Sequence, residues 1–104
     1  MRKFENAMRP VHPGEVLREE FLTPLGMTPN ALAGILRVTP ARINEIVRGE
    51  RGVTPVTALR LARYFGGTAE YWMNLQQTYD LKVARQEYEG QIFAEIQPRE
   101  ASQT

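Results

Sequence analysis

The chain has 104 residues, 42% of them hydrophobic, with a formal net charge of +1 and no cysteine. That is the length of a single domain with one modest core, one that extra burial in a dimer would help. The absence of cysteine excludes disulfides and thiolate metal sites and fits a cytoplasmic location, no stretch approaches the ~20 apolar residues of a membrane span, and Met1-Arg2-Lys3-Phe4-Glu5-Asn6 has no apolar run behind its charges, so no signal peptide is expected.

After an N-terminal arm over residues 1–11, His12-Pro13-Gly14-Glu15 predicts a helix start, with His12 near the cap, Pro13 at the first position and Glu15 in the positive first turn. Val16, Leu17, Phe21 and Leu22 give that helix an apolar face. His12 is the only histidine, so a catalytic or metal role must be weighed. With no ligand cluster beside it, the structural reading is preferred. Glu15 and Glu19 share a helix face with Arg18 nearby, and together with Glu20 they read as solvated surface. No nucleophile-and-base constellation and no phosphate loop can be assembled, so an enzyme is not expected.

Thr28-Pro29, Thr39-Pro40 and Thr54-Pro55 each place a capping hydroxyl before a proline whose fixed φ suits the first helical position. Gly26, Gly49 and Gly66-Gly67 stand where the preceding helices should stop. Between Thr28 and Gly49, the apolar residues Leu32, Ala33, Leu36, Val38, Ile43, Ile46 and Val47 recur at helical spacing, broken at Arg37 to Thr39. The pattern is helix, tight turn, helix, and it delivers a polar, arginine-bearing helix onto a surface, as entry to the major groove of DNA requires. A small all-α bundle with no such role shows similar turns.

Charge distribution separates these readings better than total charge. Residues 1–36 carry four positive and four negative side chains, residues 37–63 six and two, and residues 64–104 three and six. The positive excess comes from Arg37, Arg42, Arg48, Arg51, Arg60 and Arg63, on and just after the candidate recognition helix. Arginine can engage phosphate or a guanine edge through two hydrogen bonds, which lysine cannot. Arg60 and Arg63 read equally as a solvated face.

Thr68 caps a further predicted helix that begins Ala69-Glu70-Tyr71-Trp72. Trp72, Leu75 and Tyr79 fall on one stripe, which either closes the core over the first helix or faces a second copy of the chain. Lys82 to Tyr88 still supports helix, Gly90 breaks the pattern, and Ile92, Ala94 and Ile96 alternate with Phe93 and Glu95 as in a short strand. Such a lone strand would have to pair across a dimer or with another protein, or prove helical. Residues 98–104 read as a polar tail.

Four ordered blocks now stand out: His12-Pro13-Gly14-Glu15; Ala41-Arg42-Ile43-Asn44-Glu45-Ile46-Val47; Thr57-Ala58-Leu59-Arg60-Leu61-Ala62; and Tyr71-Trp72-Met73-Asn74-Leu75-Gln76 followed by Tyr79-Asp80-Leu81. Over them the chain resembles the HigA/VapI group of antitoxins in the Cro/repressor-type helix-turn-helix superfamily. The tryptophan-containing block is what points to the antitoxin group.

The resemblance implies an all-α, five-helix, lambda repressor-like DNA-binding domain over residues 12–67, with a C-terminal helical and strand-like extension over 68–97 packed on the same domain. It implies a homodimer on double-stranded operator DNA of its own operon and a HigB-type toxin partner, an RNase that cleaves messenger RNA on the ribosome. No cofactor, metal or small-molecule effector is expected. The helix from Pro40 to Arg48 would enter the major groove, with Ala41, Arg42, Asn44 and Glu45 nearest the base edges and Thr39 near a phosphate. Arg42 and Asn44 are the main readers, arginine for guanine and asparagine for adenine. Asn30, Arg48 and Arg51 hold the backbone. Pro29 and Pro40 replace glutamines common in Cro-type repressors, so two familiar side-chain contacts to DNA cannot be made. A single such helix reads too few base pairs, hence the two-fold dimer on a palindrome with half-sites about one helical turn apart or a multiple of it. Trp72, Leu75, Tyr79, Leu81, Ile92 and Ile96 are the candidate dimer or partner contacts. A stand-alone regulator without a toxin is the competing reading. A scaffold that keeps the fold without DNA binding is a third, left open by the poor base readers Pro40 and Ala41.

Overall fold

Side-chain caps start every helix of the fold. In the computed structural model, which describes residues 9–99, the Nδ1 of His12 accepts from the Gly14 amide at 2.8 Å. The hydroxyls of Thr28, Thr39, Thr54 and Thr68 accept from Ala31, Arg42, Thr57 and Tyr71 at 3.1, 3.2, 3.4 and 3.2 Å. Each cap satisfies one of the four amides that a helix start leaves without an internal partner.

Five helices result among the described residues. The first, α1, comprises Pro13–Val16, a π-helical segment Leu17–Leu22 and Thr23–Leu25. Pro24 has no N–H for the Glu20 carbonyl, and the widened turn before it accommodates that loss. Then follow α2 (Pro29–Leu36), α3 (Pro40–Val47), α4 (Pro55–Phe65) and α5 (Ala69–Glu95). Gly26 ends α1 and Gly66 ends α4, both at positive φ, which glycine adopts at no steric cost.

The core is one cluster. Leu17 and Leu22 from α1, Leu32, Ala33 and Leu36 from α2, Ile43 and Ile46 from α3, Val53, Ala58 and Leu61 around α4, and Trp72 from α5 are all buried together. Phe21 packs against both Phe65 and Trp72, with ring centroids 4.8 and 5.1 Å apart. One approach is tighter than any side chain allows: a Cβ added to Gly14 would lie 1.7 Å from the Ile46 carbonyl oxygen. Backbone of α1 therefore rests directly on backbone of α3. Nearby, Gln76 of α5 accepts from the Val53 amide at 2.7 Å and donates to Asp80 at 2.9 Å, tying α5 to the segment before α4.

His12 takes the structural role. Its ring meets Tyr79 edge-on at 4.8 Å and lies beneath Gly49. Burial lowers its pKa below the usual 6.5, partly opposed by the charge of Asp80.

The C-terminal extension departs from expectation. Residues 92–95 belong to α5 rather than to a strand, and the helix runs unbroken through Gly90, with only Ile96 extended as the cap. Glycine costs about 1 kcal/mol against alanine in a helix, too little to stop one already propagating. Helical pairs support the segment, Gln91 donating to Glu95 at 3.1 Å and Arg85 lying 4.0 Å from Glu89. No helix among the described residues is long and apolar enough to cross a membrane. Residues 1–8 of the expected arm and 100–104 of the expected tail lie outside the described residues.

Candidate nucleic-acid interface

The turn between α2 and α3 is made by Arg37, a non-glycine residue at φ 61° in the left-handed region. There the Val38 amide reaches the Ala33 carbonyl at 3.0 Å, closing α2, and Val38 packs on the core. The Arg60 guanidinium donates to the free Leu36 carbonyl at 3.0 Å. Arg60 is thus a clasp from α4 on the end of α2.

Ile43 and Ile46 point α3 inward and are buried, so the opposite face is turned outward. That face carries exposed Ala41 and Arg48 and half-buried Arg42, Asn44 and Glu45. Its side chains are not independent. Asn44 Nδ2 donates at 2.8 Å to both Asn30 Oδ1 and the Pro40 carbonyl. Arg51 Nε donates to Glu45 at 2.7 Å, and Arg48 forms a two-bond fork with Glu50 at 3.2 Å. The Glu50 hydrogen bond, then its charge, raises the Arg48 pKa. The Arg42 guanidinium makes no hydrogen bond or ion pair among the described residues and is free to reach outward.

Beside Arg42 lies a cleft of about 430 Å³ between the turn and α4, lined in part by Arg37, Thr39, Arg42, Thr54 and Arg60. Three arginines line this one opening, and their charge favours an anion. Thr39 accepts from the Arg42 amide, and its hydroxyl proton stays available to a phosphate oxygen. Of the eight residues expected at DNA, Asn30, Thr39, Ala41 and Arg42 lie on or directly before the first turns of α2 and α3, Asn44 and Glu45 on the second turn of α3, and Arg48 and Arg51 follow its far end.

The residues expected at a dimer or partner contact divide. Trp72 is 1% exposed and belongs to the core, which takes it out of any contact surface. Leu75 packs against the core and Tyr79 against His12, both half-buried. Leu81, Ile92 and Ile96 are exposed, together with Tyr88 and Phe93. Sequence reasoning missed the Asn30–Asn44 pair, the Glu45–Arg51 pair and the Arg60 clasp. Their partners are 14, 6 and 24 residues apart and meet only once the helices have packed.

Comparison with known proteins places this geometry. The helix-turn-helix family matches residues 17–72. Virulence-associated protein I of Dichelobacter nodosus is 59% identical over 83 residues, covering 80% of this chain and 77% of the relative. Antitoxin HigA-1 of Vibrio cholerae serotype O1 is 39% identical over 89 residues, covering 86% and 82%. The structure of Pseudomonas aeruginosa antitoxin HigA with the higBA promoter superposes with a TM-score of 0.85 at 48% identity, covering 86% of this chain and 98% of that one. The outward polar face of α3, the five-helix core behind it and these likenesses agree: the chain belongs to the helix-turn-helix family, within its Cro/repressor-type HigA/VapI group.

Proposed function

We propose that this protein is an antitoxin of a two-gene module: it binds a palindromic operator of its own operon as a two-fold dimer and neutralises a HigB-type, mRNA-cleaving toxin in the cytoplasm. The carrying observation is the outward face of α3, where Arg42 stands unpaired beside a basic cleft on a helix fixed against α1. Its likeness to a HigA seen with promoter DNA supports the reading. In the groove, Arg42 and Asn44 read bases and Ala41 and Glu45 lie close to them. Asn30, Thr39, Arg48 and Arg51 hold phosphates, the last two after exchanging Glu50 and Glu45 for them.

A two-fold dimer matches two recognition helices to a palindrome. The exposed apolar residues Leu81, Tyr88, Ile92, Phe93 and Ile96, along the free half of α5, support placing the dimer or toxin contact there. A chain that sediments as a monomer at micromolar concentration would remove the dimer contact, and a toxin that co-purifies equally well with Ile92→Asp would remove the toxin contact.

The test of function is binding of the purified protein to the fragment upstream of its own operon, alone and with the product of the neighbouring gene. Binding lost in an Arg42→Ala, Asn44→Ala variant, with co-purification of a small basic neighbour, is expected. Binding without any partner would leave a stand-alone regulator, and no preference over random DNA would leave only a scaffold.

A further inference from the structure

Asn44 is held in a way that changes what it can read. Its Nδ2 has two hydrogens, and both are committed at 2.8 Å, one to the Pro40 carbonyl and one to Asn30 Oδ1. The orientation of the amide follows from chemistry: a carbonyl only accepts, so the Asn44 atom facing Pro40 must be the nitrogen, and the Asn30 atom facing that nitrogen must be the oxygen. What remains unpaired is Asn44 Oδ1, an acceptor, and Asn30 Nδ2, a donor, on side chains that are half-buried and exposed, respectively. Neither side chain has a further partner among the described residues.

We infer that Asn30 and Asn44 form one reading unit, in which Asn30 fixes the Asn44 amide so that Oδ1 alone faces the groove and accepts from the exocyclic amine of adenine or cytosine. Free asparagine recognises adenine through two bonds, donating to N7 and accepting from N6–H. The held side chain has no hydrogen left for N7, so it selects an amine rather than an adenine. Adenine N6 and cytosine N4 are the two major-groove donors, and thymine and guanine offer only acceptors there. Asn30 Nδ2, at the start of α2, meanwhile points a donor outward for a phosphate oxygen, so backbone register and base choice are set by one pair. Asn30 is thereby a positioning residue for specificity, acting through Asn44. This inference rests on the DNA-binding reading above.

The test uses the full chain and the fragment upstream of its own operon, with single bases replaced. Purine in place of adenine, or pyrimidin-2-one in place of cytosine, removes the amine. 7-Deazaadenine removes N7 and keeps the amine. At one position in each half-site, amine removal should weaken binding by about two- to tenfold, the worth of one neutral hydrogen bond. That loss should vanish in Asn44→Ala, and 7-deazaadenine there should cost nothing. In Asn30→Ala the amine dependence should shrink and N7 should begin to matter, because the freed amide can then turn. Melting curves confirm that both variants fold. N7 removal costing as much as amine removal in the unaltered protein would overturn the inference, as would amine dependence unchanged by Asn30→Ala. Failure to prefer the fragment over random DNA would overturn the DNA-binding reading itself.

Discussion

The two halves of α5 share one set of backbone hydrogen bonds and have opposite surroundings. Over residues 69–80 the helix puts Trp72 into the core, lays Met73 and Leu75 against it, and anchors Gln76 on the Val53 amide. Over residues 81–95 most side chains are exposed, Phe93 at 71% and Tyr88 at 53%. The first half is specified by tertiary packing, the second by propagation from it and by helical side-chain pairs worth a few tenths of a kcal/mol each. Substitutions of similar chemistry should therefore have unlike effects on the two sides of residue 81.

Trp72→Ala should cost about 3–5 kcal/mol in chemical denaturation, because a large buried ring leaves a cavity. Phe93→Ala should change stability by less than about 0.5 kcal/mol at concentrations where the chain is monomeric. A comparable loss for Phe93 would mean that the free half is packed after all.

Gly14→Ala should cost about 2–4 kcal/mol in the same measurement, since the added methyl must push α1 off the Ile46 carbonyl. Gly14 lies on the packed side of the molecule, and near-neutral behaviour would show that α1 and α3 separate easily.

Histidine 12 gives a pH-dependent version of the same contrast. Its folded pKa lies below 6.5, so below that pH the unfolded chain takes up the proton first, and stability falls as pH drops towards the folded value. Protonation at Nδ1 also ends acceptance from the Gly14 amide. His12→Ala should lower the melting temperature at neutral pH and flatten its dependence below about pH 6.5. A wild-type curve already flat over that window would contradict this.

The smallest effect carries the opposite sign. Gly90→Ala should stabilise the helix by about 0.5–1 kcal/mol, because nothing lies within 4 Å of the added Cβ and alanine loses less chain entropy. Circular dichroism at 222 nm should rise or stay equal, and a fall would disprove unbroken helix there.

The sequence showed most where the physics is local. Every Thr cap and the His12 cap follow from residues within three positions, and the alternating polar and apolar faces of α2 and α3 follow from helical spacing. Arg37 was legible as a turn but not as a left-handed residue, since arginine has no preference for that region and takes it here under tertiary constraint. The strand reading of residues 92–96 failed because Ile92, Ala94 and Ile96 alternate over too few positions to outweigh a helix entering from upstream. At the candidate interface, residue types pointed to the outward side of α3, whereas the pairs among those residues depend on contacts across 6 to 24 positions.

The ion pairs Arg48–Glu50 and Arg51–Glu45 bear on the thermodynamics of association. A cation that meets a phosphate normally releases a condensed counterion from the polymer, and each such release steepens the fall of affinity with ionic strength. Here two of the cations arrive already neutralised, so engaging a phosphate sets a carboxylate free beside the polyanion, and its repulsion offsets part of the gain. Arg60, occupied by the Leu36 carbonyl, is a third cation with a prior commitment. If the chain binds an operator as proposed, the dependence of that affinity on salt should therefore be shallower than six arginines per chain suggest, leaving more of the binding free energy to groove contacts and shape than the charge of residues 37–63 implies.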